Sequence, residues 1–276
     1  MRPVTRRASQ NPQRRERRGH RPAGLGGDRV EGRQAVRELL LAGNRRVHEV
    51  LVAASSSKTS QRPSGIMAEI LDLAAELRVP IKELSRAKFD NIAVTEAPQG
   101  VIANAAPLVV HDLADLVRNV SGGVPFLLVL DGVTDPVNVG AALRTAECAG
   151  VTGVVLARHR AAHVTPSAAK AAAGAIEHIS MALVGGIPNA LARLSELGVW
   201  TVGLDIAASN TIYEVSVSSE AVALVVGSEG RGLSRLARQR CDVVAAIPLF
   251  GRLNSLNAAA ATAVGCFEIA RNRLRN

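Results

Sequence analysis

Apolar and polar residues alternate along the C-terminal half of this 276-residue chain in a way that predicts strands and helices in turn. Continuous apolar runs predict strands at 126–130, 153–156, 200–204, 222–226 and 243–247. Apolar residues at helical spacing predict helices at 139–149, 167–173, 189–197, 233–240 and 255–273. Apolar strands separated by helices are typical of an α/β fold with a mostly parallel sheet buried on both faces. Ligands of such sheets bind at the carboxyl ends of the strands.

The segment before this sheet shows the same alternation on a smaller scale. Helices are predicted at 34–41, 66–77 and 85–92, strands at 48–53, 79–84 and 100–105, and a polar loop at 55–65. The predicted organisation is a disordered tail at 1–27, a small α/β domain at 28–105, a linker with one short helix at 106–124 and a large α/β domain at 125–276. The linker ends in Ser-Gly-Gly-Val-Pro, a typical break between domains.

Positive charge is concentrated at the N-terminus. Residues 1–27 hold eight arginines and a single acid, Glu16, so they carry +7 of the net charge of +9. Their low apolar content predicts disorder. A basic tail attracts a polyanion such as nucleic acid by releasing its counterions. The alternatives are a solvated tail without a partner and an organellar transit peptide, which the missing apolar face disfavours.

Composition excludes several other classes of protein. No apolar run reaches the length of a membrane span, and no apolar segment follows the basic N-terminus, so neither a membrane protein nor a secreted protein is expected. The cysteines at 148, 241 and 266 are far apart and form no CxxC pair. We therefore expect no disulfide framework, no metal site and a reducing, cytoplasmic location.

The first candidate motif is the segment 130–146, which leaves the strand at 126–130 through a polar turn. Asn138 is placed to act as the N-cap of the next helix. Arg144 interrupts an otherwise apolar stretch of that helix, and a cation so placed is expected to have an anionic partner. The alternative is purely structural, with Asn138 as a cap only and Arg144 as a solvated side chain.

The second motif is Gly-Ser-Glu-Gly-Arg-Gly-Leu at 227–233, directly after an apolar strand. Its glycines allow close approach of the backbone to a ligand, as in dinucleotide-binding loops. A P-loop is excluded because no Gly-Lys-Ser/Thr follows, and a nicotinamide site is disfavoured because the next strand ends without an acid at 248–252. Glu229 would repel a pyrophosphate, whereas it suits a hydroxyl group, an amino group or a cation.

The third motif is Ile-Pro-Leu-Phe-Gly-Arg-Leu-Asn-Ser-Leu-Asn at 247–257. A strand ends at a proline, a glycine turn follows, and polar side chains lead into an alanine-rich helix. Ser255 and Asn257 are predicted in the first turn of that helix. Helix capping is the structural alternative for both of them.

Together, the three motifs resemble those of the SpoU/TrmH family of RNA 2′-O-ribose methyltransferases, which belongs to the SPOUT class. That family carries Asn-Val-Gly-Ala…Arg-Thr-Ala, Gly-Ser/Ala-Glu-Gly-x-Gly and Ile-Pro-Met-x-Gly…Ser-Leu-Asn in the same order, and residues 126–273 match throughout, including Gly174 and Ala175. The segment 30–105 resembles the small ribosomal-protein-like RNA-binding domain of the large-rRNA branch. Its matching elements are Val-Glu-Gly-Arg-Gln-Ala-Val at 30–36 and Pro-Gln-Gly-Val at 98–101.

The resemblance implies a fold, a cofactor and a set of site residues. The fold is a trefoil-knotted α/β domain working as a homodimer, although knots are rare in proteins. S-adenosylmethionine is expected to bind in the knotted loops against Gly227, Ile247 and Leu256. The catalytic residues implied are Asn138, Arg144, Glu229, Ser255 and Asn257.

The family pattern makes Arg144 the candidate that activates the ribose 2′-OH. Arg144 is a poor base because the pKa of arginine exceeds about 12, so we expect it to hold the RNA phosphate and to stabilise the developing alkoxide. Glu229 and Asn138 would orient Arg144 with help from a second protomer, while Ser255 and Asn257 would fix the ribose and the loop. The proton acceptor would be the phosphate or a water molecule.

The chain departs from the family in the third motif. The family continues with Val-Ser-Val-Ala where this chain has four alanines, so the second serine is missing at Ala259. Phe250 and Arg252 are larger than the usual residues. The expected substrate is a guanosine of 23S rRNA, and the alternatives are a tRNA target, an antibiotic-resistance rRNA target and a non-catalytic RNA-binding or assembly protein.

Overall fold

The computed structural model of the chain describes residues 24–54, 64–120, 123–159, 161–216 and 220–274. Most of the predicted tail and most of the predicted loop at 55–65 lie outside the described residues. The described chain forms a four-stranded sheet followed by a seven-stranded sheet.

The smaller sheet is built from the segment before residue 106. Its elements are β1 (Arg29–Glu31), α1 (Arg33–Ala42), β2 (Val47–Ala53), α2 (Ile66–Glu76), β3 (Ile81–Leu84), α3 (Arg86–Ile92) and β4 (Val101–Ala105). The strand order is β1-β4-β2-β3, in which β2 and β3 are parallel and the other pairs are antiparallel. Helices α1 and α2 cover one face around Leu39 and Ile70, and Phe89 of α3 is buried against the other face. We refer to this part as the small unit.

The larger sheet belongs to the segment after α4 (Leu113–Arg118). Its elements are β5 (Phe126–Asp131), α5 (Pro136–Cys148), β6 (Gly153–Ala157), α6 (Pro166–Ala172), β7 (Ser180–Val184), α7 (Ile187–Glu196), β8 (Trp200–Leu204), β9 (Asn210–Thr211), β10 (Val222–Gly227), α8 (Arg235–Arg240), β11 (Val243–Ala246) and α9 (Ala258–Arg273), with short 3₁₀ helices at Ala175–Glu177 and Ile212–Glu214. We refer to this part as the large unit.

All strand pairs of the larger sheet are parallel, in the order β7-β6-β5-β10-β8-β11-β9. The central strand β10 is buried along its whole length because helices pack on both faces of the sheet. The predicted α/β class with a mostly parallel sheet is confirmed. Three strands, β1, β7 and β9, were not predicted.

Helices α5 and α9 begin three residues away from their predicted starts. The N-cap of α5 is Asp135, whose carboxylate accepts the Asn138 N–H at 2.8 Å, so the predicted N-cap role of Asn138 is wrong. Pro136 occupies the first turn, where its missing N–H costs nothing. Helix α9 begins at Ala258, and Ser255 therefore lies outside its first turn.

Residues 24–27, which the prediction assigns to the disordered tail, are structured. Leu25 is fully buried in the core of the large unit. The Gly27 N–H donates to the Val164 carbonyl at 2.8 Å, and the Val164 N–H donates to the Leu25 carbonyl at 2.9 Å. Residues 24–27 thus pack beside the β6–α6 loop before the chain enters the small unit, so the tail boundary at residue 27 is placed too late.

Candidate functional site

The three sequence motifs meet at one edge of the larger sheet. Strands β5, β10 and β11 are parallel, so the loops that follow them leave the same edge. The first motif forms the β5–α5 turn, the second forms the β10–α8 loop, and the third forms the β11–α9 loop. Asp131 at the end of β5 accepts the Ser234 N–H at 2.7 Å and so ties the first loop to the second.

Glu229 is held by side chains from both neighbouring motifs. Its Oε1 atom accepts the Asn138 amide N–H at 2.9 Å and the Asn257 amide N–H at 2.7 Å. The Asn257 amide also donates to Asn138 Oδ1 at 2.9 Å, which closes the cluster. The Oε2 atom of Glu229 has no hydrogen-bond partner within the described ranges, so one carboxylate oxygen is available to a further donor. We call Asn138, Glu229 and Asn257 the amide–carboxylate cluster.

Asn257 has a second task in the same place. As the N-cap of α9, its Oδ1 atom accepts the N–H groups of Ala259 at 2.8 Å and Ala260 at 3.2 Å. Its amide nitrogen thereby faces Asn138 and Glu229. The Asn257 side chain therefore caps α9 and takes part in the amide–carboxylate cluster at the same time. The two roles, which were alternatives at the level of the sequence, are compatible.

The second motif folds into a tight turn. Ser228 and Gly232 exchange two backbone hydrogen bonds of 3.0 and 2.9 Å, and Gly230 and Gly232 have positive φ angles of 75° and 64°. A Cβ atom at Gly227 would lie 2.1 Å from the Gly232 carbonyl carbon. The glycine at 227 is thus required by the turn itself, before any ligand is considered.

A cavity of about 320 Å³ opens beside the cluster at the ends of β8, β10 and β11. Gly227, Ile247 and Leu256, the residues expected to hold the cofactor, all line it, as do Glu229 and Ser255. This volume falls in the range of small-molecule sites, and apolar walls with a few polar groups are typical of them. The residues present fit S-adenosylmethionine, because the lining combines apolar side chains, which would suit its adenine, with polar groups, which would suit its charged end.

The motifs predicted from the sequence did not include the residues that β8 contributes to this cavity. Leu204, Asp205 and Ile206 line it at the carboxyl end of that strand. The Asp205 carboxylate accepts the Ala207 N–H at 2.8 Å and the Arg238 Nε–H at 2.8 Å, which keeps the loop in place. An acid directly after an apolar strand, as at Asp131, was the signal that could have found it.

Arg144 stands apart from the cluster. Its side chain is exposed on α5, and within the described residues it makes no hydrogen bond or ion pair. It lies six residues after Asn138, which places it about 9 Å further along the helix and on a different face. The expected anionic partner of Arg144 is therefore not found in the described part of this one chain.

The small unit brings together the two elements that carry its resemblance. The Arg33 N–H donates to Gln99 Oε1 at 2.8 Å, and the Arg33 Nε–H donates to the Gln99 carbonyl at 3.1 Å. Gly32 and Gln99 both have positive φ angles, of 102° and 57°. The elements at 30–36 and 98–101 thus form one surface.

The ionisable groups of the described residues were compared with the requirements of a metal site and of a reactive thiol. In the described ranges no cluster of three or more His, Cys, Asp or Glu residues could hold a metal ion. Burial raises the pKa of the Cys241 and Cys266 thiols to about 12, so both are neutral near pH 7. No helix in the described part of the chain is long and apolar enough to cross a membrane.

Comparison with known proteins identifies the class to which this site belongs. The model of the SpoU rRNA Methylase family matches residues 125–267, and the model for RNA 2'-O ribose methyltransferase substrate binding matches residues 29–109. The chain belongs to the SpoU rRNA methylase family. The predicted class of enzyme, an RNA ribose methyltransferase that uses S-adenosylmethionine, is confirmed.

Individual relatives match nearly the whole chain. It is 37% identical over 248 residues to the 23S rRNA (guanosine-2'-O-)-methyltransferase RlmB of Pseudomonas aeruginosa, which covers 89% of this chain and 97% of the relative. It is 36% identical over 251 residues to the protein of the same name from Haemophilus ducreyi, with 90% and 98% covered. The crystal structure of the SpoU methyltransferase AviRb from Streptomyces viridochromogenes matches with a TM-score of 0.72 at 23% identity, over 90% of each chain. This likeness supports the fold class, and the knot stays a prediction.

Proposed function

We propose that the chain transfers a methyl group from S-adenosylmethionine to the ribose 2′-OH of a guanosine in 23S rRNA. The observation that carries this proposal is the amide–carboxylate cluster beside a cavity of about 320 Å³, in a chain 37% identical to a relative named for that reaction. A ribosomal RNA substrate supports a cytoplasmic location for the reaction. Residues 28–105 bind the RNA, 106–124 connect the domains, and the knotted domain at 125–276 carries out the transfer.

In this proposal the cofactor is held through backbone and apolar surface by three residues that line the cavity, Gly227, Ile247 and Leu256. When bound, S-adenosylmethionine supplies the methyl group as a reactive sulfonium. The Gly227 turn brings backbone against the ligand, and Ile247 and Leu256 exclude water from the cavity. Alignment of the two reactants can by itself lower the barrier by about 7–11 kcal/mol in the best cases.

Arg144 acts on the RNA. Its guanidinium binds the phosphate next to the target ribose and stabilises the negative charge that develops on the 2′ oxygen as its proton leaves. The proton passes to the phosphate or to a water molecule, because arginine stays protonated at neutral pH. Glu229 Oε2 is the free acceptor that orients the guanidinium. Ser255, which lines the cavity, fixes the ribose together with Asn257.

The Arg144 that meets Glu229 comes from a second copy of the chain. Helices α5 and α9 pack side by side. Their outward faces expose Arg144 together with Val137 and Phe267, which are 55% and 50% exposed. An isologous interface formed by these faces buries the apolar side chains and carries each Arg144 toward the partner's cluster.

Mixing two inactive variants tests this shared site. In a mixed dimer of Arg144→Ala and Glu229→Gln chains, a shared arrangement leaves one site with both substitutions and the other with none. Random pairing then restores methylation to about a quarter of the wild-type rate. A mixture as inactive as its components would show that Arg144 serves its own chain. Light scattering on each variant checks that both still dimerise.

The substrate is tested directly with labelled cofactor. The protein is incubated with purified 23S rRNA, 16S rRNA and bulk tRNA, and the 2′-O-methylated nucleotide is mapped by primer extension. Label in a single guanosine of 23S rRNA is expected. Label in tRNA alone would replace the proposed substrate, and cofactor binding without transfer to any RNA would favour an assembly protein.

A further inference from the structure

The buried guanidinium group of Arg45 bridges the small and large units. Arg45 lies in the turn between α1 and β2, and Glu177 lies in the 3₁₀ helix between α6 and β7. Arg45 Nε–H and Nη2–H donate to the two carboxylate oxygens of Glu177 at 2.8 and 2.6 Å. The two side chains are only 5% and 1% exposed. Such a paired fork fixes orientation as well as distance.

The third nitrogen of Arg45 binds both chain segments that connect the units. Its Nη1–H groups donate to the carbonyl of Gly27 at 2.5 Å and to the carbonyl of Ala106 at 2.6 Å. Gly27 lies where the chain enters the small unit, and Ala106 lies where it leaves. One side chain therefore holds the entrance, the exit and the neighbouring unit together. We call Arg45 with these partners the junction.

Neighbouring contacts make the junction close-packed. The Asn44 amide donates to the Glu177 carbonyl at 2.7 Å, and His178 meets Glu38 of α1 at 3.2 Å. A Cβ atom at Gly174 would lie 2.3 Å from Glu38 Cβ, so α1 approaches the backbone of the large unit directly. The small unit is thus packed against its neighbour, unlike a module on a free tether, whose orientation would vary.

We infer that Arg45 is a positioning residue for methyl transfer, because the junction sets which nucleotide of an RNA bound to the small unit reaches the cavity. The inference rests on the proposed function. RNA bound by one unit and methylated by the other spans a distance that only a fixed junction holds constant. A displacement of about 1 Å at a reacting centre can cost about 10²-fold in rate, so a loosened junction affects turnover more than binding.

The decisive variant replaces the pair by uncharged residues of similar volume, Arg45→Met with Glu177→Leu. Removal of one partner alone would leave a buried charge unpaired, whereas replacement of both is often neutral for folding. The matched control is Arg193→Met with Glu196→Leu, an exposed pair within α7 that joins no two units. Should the double variant not fold, Arg45→Lys keeps the charge and loses the paired fork.

Three quantities are measured on a long 23S rRNA fragment: RNA affinity, the turnover of bound RNA, and the position of the methyl group. We expect unchanged affinities for RNA and S-adenosylmethionine, turnover lowered about 10- to 100-fold, and methylation spread to neighbouring nucleotides. The control pair should match the wild type in all three. Wild-type turnover and a single methylated nucleotide in the double variant would overturn the inference. Absence of transfer by the wild-type protein would instead overturn the proposed function, and the inference with it.

Discussion

The amide–carboxylate cluster and Arg144, which we propose to form one active site, differ in how the chain holds them. Asn138, Glu229 and Asn257 are joined by hydrogen bonds of 2.7 to 2.9 Å, and each belongs to a different motif. Arg144 shares a helix with Asn138, yet within the described residues its guanidinium has no partner. The comparison shows that hydrogen bonds within one chain hold the amide–carboxylate cluster in place. Within the described residues of the same chain, no such bond holds the Arg144 guanidinium.

Replacement of Arg144 by alanine should separate activity from stability most sharply. Methylation is expected to fall by at least about 10²–10³-fold, because a group that stabilises the developing charge is lost. The free energy of unfolding of the single chain should change by less than about 0.5 kcal/mol, since within its described residues the side chain is exposed and makes no hydrogen bond or ion pair. Turnover with labelled cofactor and denaturant unfolding provide the two numbers, with Arg193→Ala as the control. Near-normal turnover would remove Arg144 from the site.

Substitution of Asn257 should affect both properties. Asn257→Ala removes the cap of α9, at a cost of about 1 kcal/mol in unfolding free energy, and frees Glu229, which we expect to lower turnover about 10²-fold. Asn257→Ser keeps a capping oxygen but loses the amide donors. It should therefore retain stability and lose turnover to the same degree. Equal turnover in the serine variant and the wild type would show that Asn257 serves the helix alone.

Deletion of residues 1–23 tests whether the charge of the N-terminal segment contributes to RNA binding. The eight arginines lie in this segment, whereas Leu25 is part of the core and has to remain. We expect weaker RNA binding and a flatter dependence of log Kd on log salt, with turnover of saturating RNA unchanged. A full-length chain with the eight arginines replaced by glutamine separates charge from length. An unchanged salt slope in both proteins would mean that the tail does not contact RNA.

The cysteines also differ in exposure, and here we expect the smallest effect. Cys148 is exposed one turn after Arg144, whereas Cys241 and Cys266 have pKa values raised to about 12 by burial. Burial and the neighbouring Glu147 also raise the pKa of Cys148, so its reactive thiolate forms at higher pH than usual. A thiol reagent should modify Cys148 alone, slowly at neutral pH and faster as the pH rises, because the pKa of this thiol is raised. Mass spectrometry of the native protein measures this, and rapid labelling of Cys241 would contradict it.

Most strands of the larger sheet could be predicted from the sequence because they are apolar throughout, as in β5 and β10. Strand β7 could not, because its Ser-Met-Ala-Leu-Val sequence follows an alanine-rich helical stretch and has no β-branched run. Pairing with β6 decides its conformation, which is a tertiary effect. Local propensity likewise favoured Asn138 as the N-cap of α5. Asp135 takes that position instead, because the helix begins at Pro136 directly after it.

The candidate site could be predicted as far as its three motifs, because they occur in a fixed order along the chain. Glu229, Asn138 and Asn257 could be named from the sequence, but their hydrogen bonds could not, because these depend on how three loops meet. Asp205 was missed because it stands alone after its strand. In the proposed dimer the partner of Arg144 belongs to a second copy, and a contact between two copies would leave no spacing in one sequence.

The turn at Gly227 has a practical consequence for anyone dissecting this enzyme by mutagenesis. Glycines that line cofactor pockets are common targets for making inactive controls. Here a methyl group at residue 227 would collide with the Gly232 backbone of its own loop at 2.1 Å. A Gly227→Ala protein would therefore lose the loop that carries Glu229, and its inactivity would say nothing about ligand affinity. Ile247→Ala or Leu256→Ala is the better inactive control.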